Sequence, residues 1–277
     1  LMTAPSRPMT PDALVGDLRA VWSSLDLLLD SLDEKDWAAP TDCPGWSVQD
    51  TVVHVIGTER TLAGESAPDV EVPESPHVRN DIGRMNEAWI IDRRDRAPAD
   101  VLAEFREVVR DRDAALSAMQ PQEFDAESWT PAGQATYGRF LQIRVFDTWI
   151  HEQDIREAVG RSGHLEGPAV RRTLAEVANG LGFVVGKRAG APDGSSVRFV
   201  VTGPEPATID VVVDGRARVT DDLQGEPTTT VTTDLPTFIR LVAGRRPGAG
   251  ALAEGRVRVT GDQELGAAVV GALGYTI

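Results

Sequence analysis

The stretch from Gly138 to Gly160, GRFLQIRVFDTWIHEQDIREAVG, limits what this chain can fold into more than any other. Phe140, Ile143, Phe146, Ile150 and Ile155 recur at helical spacing, which predicts a core-facing helix. Asp147 and His151 lie four residues apart, so on that helix they sit one above the other. Their face adjoins the stripe of Ile143, Phe146 and Ile150. A carboxylate and an imidazole inside a bundle are costly unless something pairs them, and a metal ion is a common partner. A further histidine, His54, sits in SVQDTVVHVIGTE, a second amphipathic segment. His54, Asp147 and His151 together make a three-ligand candidate with an open fourth position, the pattern of catalytic rather than structural zinc. Other readings stand beside it. His54 alone fits a core histidine bonded to a carbonyl, and Asp147 with His151 fits a helix-surface pair.

Composition removes several classes of function. The chain has 277 residues, the size of one large or two ordinary domains. With 41% hydrophobic and 26% charged residues it has the profile of a globular protein. It holds no apolar run long enough to span a bilayer, so no membrane partner is expected. Its opening residues, LMTAPSRPMTPD, carry no apolar signal core, which points to a cytoplasmic protein. A net charge of −15 argues against broad contact with nucleic acid, which needs basic patches against phosphate. The single cysteine, Cys43, excludes an intramolecular disulfide and suits a reducing compartment.

The first half reads as helices. Thr10 caps a helix that has Pro11 at its first position and Leu14, Leu18, Val21, Trp22, Leu25, Leu28, Leu29 and Leu32 along its stripe. Ser47 with Asp50 resembles a capping box and opens a helix to about Leu62. Residues 64–78 read as a loop, and 79–96 as a helical piece. Pro98 opens a further helix buried through Val101, Phe105, Val108, Val109, Leu116 and Met119. The texture changes at GRSGHLEG, residues 160–167. One helix then runs from about Pro168 to Arg188. Strands are expected at 197–201, 208–213, 216–220, 228–233 and 256–260, with a hairpin turn at Asp214-Gly215. Helices are expected at 235–244 and from Asp262 onward. The fold class is therefore mixed, with a four-helix bundle at 1–163 followed by a smaller α+β domain at 168–277.

Weaker candidates surround the three ligands. His77 and His164 read as solvated. Cys43, in TDCPGW, reads as a buried turn residue, with no base near it in sequence. Glu152 and Asp154 are both candidates to orient a metal-bound histidine, and Asp154 is favoured because it lies two turns beyond Asp147 on the same face. Arg144 and Arg156 are candidate anion contacts, although exposure is the default for helix arginines. The glycine-rich run AGRRPGAG lacks the lysine and spacing of a phosphate loop.

Pro40-Thr41-Asp42-Cys43-Pro44-Gly45-Trp46-Ser47-Val48, followed by His54, resembles the N-terminal signature of the mycothiol-dependent maleylpyruvate isomerase family, a branch of the DinB-like four-helix metal proteins. Val145 to Arg156, VFDTWIHEQDIR, resembles its second signature. LPTFIRLVAGRRP and EGRVRVTGDQELGAAVV are similar to its sterol-carrier-like C-terminal domain. The resemblance implies a divalent metal, usually zinc, held by His54, Asp147 and His151. It also implies that mycothiol, a cysteine-bearing pseudodisaccharide of actinobacteria, enters the open position as thiolate. Where the isomerase pattern carries glutamate, this chain has Asp147, one methylene shorter and still an oxygen ligand. The expected activity is addition of a low-molecular-weight thiol to a small electrophile, as isomerase or S-transferase. Asp154 is expected beside the metal-bound histidine, and Arg245 or Arg246, just after the helix at 235–244, against an anionic substrate. A metal-dependent hydrolase with Asp154 or Glu59 as base, and a non-catalytic metal- or ligand-binding module, are the alternatives.

Overall fold

The computed structural model describes residues 10–276. They form two compact units, divided between Gly163 and His164. In the first, helix α1 (Pro11–Asp30) begins where the Thr10 side chain accepts from Ala13 N–H. A short α2 (Glu34–Trp37) follows, with Asp33 and Asp36 closing a capping box. Ser47 and Asp50 close another at the start of α3 (Val48–Leu62), as the sequence pattern predicts. Next come α4 (Asp81–Arg93) and α5 (Pro98–Ala118). A small hairpin, β1 (Glu127–Thr130) and β2 (Gly133–Thr136), leads into α6 (Tyr137–Ala158).

Helix α3 is central to this unit, packed by α4, α5 and α6, while α1 lies along α5 and α6. One apolar cluster joins Leu25 and Leu29 of α1, Val52 and Ile56 of α3, Trp89 and Ile90 of α4, Phe105 of α5 and Ile155 of α6. Each such side chain, once buried, contributes roughly 1.5–3 kcal/mol. Gly57 lets α4 approach, because a Cβ there would run into the Trp89 side chain.

Helix α6 differs from its expected face. Phe140, Ile143 and Phe146 are only half-buried. Leu141, Val145, Thr148, Trp149 and Glu152 are buried instead. The stripe was inferred from apolar residues alone, whereas this helix turns polar residues inward and satisfies them. Arg144 pairs with Glu59, and Glu152 accepts from Ser24 and Arg156.

In the second unit α7 (Pro168–Phe183) runs into a π-helical turn (Val184–Arg188). A five-stranded sheet follows, from β3 (Ser196–Thr202), β4 (Ala207–Asp214), β5 (Arg216–Thr220), β6 (Thr229–Asp234) and β7 (Arg258–Gly261). Its order is β5-β4-β3-β6-β7, with β3 and β6 parallel and every other pair antiparallel. Ala207, Ile209, Val211 and Val213 alternate inward along β4. Helices α8 (Leu235–Val242), α9 (Gly248–Ala253) and α10 (Gln263–Ala272) complete the unit, and Phe238 of α8 meets Phe199 of β3. No described helix is long and apolar enough to cross a membrane.

Candidate metal centre

Cys43, Pro44, Gly45 and Trp46 make one tight turn. Trp46 N–H donates to Cys43 C=O at 3.0 Å, and Gly45 has φ +80° after a proline. Proline then glycine at the two central positions is the pattern of a type II turn, in which only glycine sits without strain. The turn buries the Cys43 thiol and sets the Trp46 indole over the start of the bundle. Trp46 Nε1–H donates to Glu87 at 3.0 Å, which fixes the ring. The ring leans over both imidazoles, with centroids 5.2 Å from His54 and 5.9 Å from His151.

His54 from α3 meets Asp147 and His151 from α6. His54 Nε2 is 3.2 Å from Asp147 Oδ2, and His151 Nε2 is 3.6 Å from Asp147 Oδ1. One donor atom from each of the three lies within 4.8 Å of the others. Both histidines are buried, and Asp147 keeps 30% side-chain exposure, so the group has one accessible side. Behind it, His151 Nδ1 is 3.1 Å from Asp154 Oδ2, and the Cys43 thiol donates to the same oxygen at 3.1 Å. Arg144 Nη1–H donates to Asp147 Oδ2.

The charges are strongly coupled. Burial lowers the His54 pKa, and the nearby His151 and Arg144 lower it further, against the pull of Asp147. Burial raises that of Asp147, but Arg144, His151 and His54 outweigh it and hold the carboxyl well below its usual range. Burial also opposes charge on His151, yet Asp147, Asp154 and Cys43 push its pKa up to about 10. The surroundings thus favour positive charge on His151 and disfavour it on His54, beside an ionised Asp147. Two imidazoles and a carboxylate suit a zinc-type divalent ion, and His54 Nδ1 is buried with no hydrogen-bond partner while Nε2 faces Asp147. The residues fit such an ion.

Other candidates fall elsewhere. Asp154 is only 3% exposed and touches His151 rather than the open side, so it acts through that ring. Glu152, the other candidate to orient the histidine, instead accepts from Ser24 and Arg156. Arg144 is buried on Glu59 and Asp147, and Arg156 binds Glu152, so neither is the exposed helix arginine expected by default. His77 is held rather than solvated, with Nδ1 2.6 Å from Ser75 Oγ and Nε2 3.4 Å from Glu87. In the C-terminal unit Arg245 is half-buried and donates to Ala243 C=O at 2.9 Å. It belongs to a cluster with Arg240, Arg246 and Arg256, where burial and the neighbouring cations lower the Arg240 pKa to about 10. Sequence pattern alone offers Glu59 only as a base for the hydrolase alternative and does not mark Arg112 at all. They lie far from Asp147 along the chain, and neither spacing nor periodicity links them.

Comparison with known proteins identifies the family. The family profile described as the mycothiol maleylpyruvate isomerase N-terminal domain matches residues 18–156. That of the corresponding C-terminal domain matches residues 156–268. Two proteins of Mycobacterium tuberculosis, both described as uncharacterized, are 29% identical over 154 residues, or 54% of this chain. The matched region spans 58% of those relatives' length. A crystal structure of mycothiol-dependent maleylpyruvate isomerase has a TM-score of 0.55 at 18% identity, covering 89% of this chain and 93% of the other. A histidine-to-alanine mutant of that isomerase gives 0.57 at 17%, covering 94% and 96%. At such identities these two structures establish a shared fold. The N-terminal profile covers half of the sequence and its partner most of the remainder, and the chain therefore belongs to the mycothiol maleylpyruvate isomerase family.

Proposed function

We propose that this protein is a metal- and mycothiol-dependent enzyme that joins a low-molecular-weight thiol to a small electrophile, as isomerase or S-transferase. The observation that carries the reading is the convergence of His54, Asp147 and His151 on one pocket with a single accessible side, in a chain of this family. His54, Asp147 and His151 would hold a divalent ion, which when bound would favour the thiolate of a coordinating thiol whose free pKa is about 8.5. The protein does the rest. Asp154 stands 3.1 Å from His151 Nδ1, an arrangement that would leave Nε2 for the ion. The Trp46 ring covers both imidazoles and limits water on that side. Arg245, in a cationic cluster of the C-terminal unit, is proposed as a contact for an anionic group. The single, buried cysteine and the reducing thiol it would work beside fit a cytoplasmic setting.

The hydrolase reading needs a free general base. Glu59 is 1% exposed and bound by Arg112 and Arg144, and Asp154 is bound by His151 and Cys43. Neither is placed to activate water, so the thiol reading is preferred.

The test is metal analysis of purified protein, followed by thiol titration into a cobalt-substituted form. Stoichiometric metal and a sulfur-to-cobalt charge-transfer band are expected. His54→Ala and His151→Ala should each lose most of the metal, and full retention in both overturns the ligand assignment. Turnover should need added thiol, survive Cys43→Ser and vanish in His151→Ala. Thiol-independent hydrolysis would favour the alternative.

A further inference from the structure

Six side chains from α3, α5 and α6 form one connected chain that ends on Asp147. Glu59 lies between two arginines, taking Arg112 Nε–H on Oε2 and Arg144 Nε–H on Oε1, each at 3.0 Å. Arg112 Nη2–H donates to the Tyr137 hydroxyl at 2.8 Å. Arg144 Nη1–H donates to Asp147 Oδ2, and Nη2–H to Thr148 Oγ1 at 3.3 Å. The Glu59 side chain is 1% exposed, that of Arg144 3% and that of Arg112 7%.

Buried ion pairs are weak sources of stability, because desolvation cancels most of their attraction. What they can supply is a fixed orientation. All three nitrogens of the Arg144 guanidinium are engaged, on three different acceptors, so the fork cannot rotate without breaking one of them. Asp147 is the exposed end of the chain. Left alone, a half-solvated aspartate would sample several carboxylate orientations. Each carboxylate oxygen has two acceptor positions, so a guanidinium on Oδ2 leaves others facing His54 and His151.

We infer that Arg144 is a positioning residue for the metal site, anchored on Glu59 and holding the Asp147 carboxylate in the orientation in which it can bind the ion. The inference rests on the metal-site reading above. Partners of this kind around a ligating carboxylate are worth about 10–100-fold in metal affinity.

The experiment measures zinc affinity by competition with a chromophoric chelator, and the visible spectrum of the cobalt form, in wild type, Arg144→Met, Arg144→Lys and Arg156→Met. Arg144→Met should bind zinc about 10–100-fold more weakly and show an altered cobalt spectrum. Arg144→Lys keeps a charge but cannot serve both Glu59 and Asp147, so its affinity should also fall, by less. Arg156→Met breaks the partly buried pair with Glu152 on the same helix. It should lower thermal stability and leave zinc affinity unchanged, which separates positioning from general support of the helix. Unchanged affinity and spectrum in Arg144→Met overturn the inference alone. If that variant does not fold, Arg144→Lys carries the test, and wild-type affinity in it has the same force. Absence of stoichiometric metal binding by wild type overturns the inference together with the metal site.

Discussion

Asp154 Oδ2 stands 3.1 Å from His151 Nδ1, while the opposite nitrogen of the same ring faces Asp147 Oδ1 at 3.6 Å. One imidazole thus joins an accessible carboxylate to a buried one. The buried partner decides which nitrogen carries the hydrogen and so which is offered to the site.

Asp154→Asn should weaken metal binding about 10–100-fold while the protein stays folded. The amide keeps an oxygen but loses the charge and can present a donor to Nδ1. Chelator competition measures the change, and wild-type affinity would show that Asp154 does not orient the ring.

Glu104 provides a pH test away from the site. It accepts from Arg93, Arg60 and Arg96. Burial raises its pKa, but the three guanidinium groups outweigh this and leave it lowered. A carboxyl with a depressed folded-state pKa binds protons less readily folded than unfolded. Its contribution is present above the unfolded value of about 4.3 and is lost as pH falls through the folded one. Glu104→Gln should cost about 3 kcal/mol at pH 7 by denaturant unfolding. The gap from wild type should narrow steadily below about pH 4.3. A gap constant down to pH 3 would remove the ion pairs as its cause.

Gly57→Ala reverses the usual rule for helices. Alanine gains about 1 kcal/mol over glycine in a helix interior. Here the added methyl meets the Trp89 side chain where α3 and α4 touch, and overpacking costs about 1–3 kcal/mol. Net destabilisation is expected by chemical denaturation, and a more stable variant would show that α4 shifts at little cost.

Limited digestion with a glutamate-specific protease should cut first at Glu166. It is exposed, in a stretch outside helix and strand between α6 and α7. Resistance there, with cuts inside 101–150 instead, would misplace the proposed division between the two domains.

Much of the site is legible because its signals are local. Asp147 and His151 share one turn spacing, Ser47 and Asp50 spell a cap, and Pro44-Gly45 spells a turn. What stayed hidden depends on contacts distant in sequence. Cys43 has no base near it along the chain, yet its sulfur lies 3.8 Å from His151 Nδ1, 108 positions away. The Glu59–Arg144 pair joins positions 85 apart. In α6 a rule based on apolar residues chose Ile143 and Phe146, because it could not foresee partners that make Arg144 and Glu152 burial-compatible. The hairpin ESWTPAGQAT carries no strong sequence signal, since its strands are short and mostly polar.

His54 and Asp147 meet although 93 positions separate them. Drawing together the ends of so long a flexible segment costs about 4 kcal/mol of chain entropy. The apolar cluster shared by α1, α3, α4, α5 and α6 is available to offset that cost without an ion. Small zinc domains behave oppositely, since their metal organises the chain. With the loop closed in this way, the free energy of binding an ion would not be diverted to ordering the backbone. Protein stripped by a chelator should therefore keep its helical circular dichroism and take metal back without refolding.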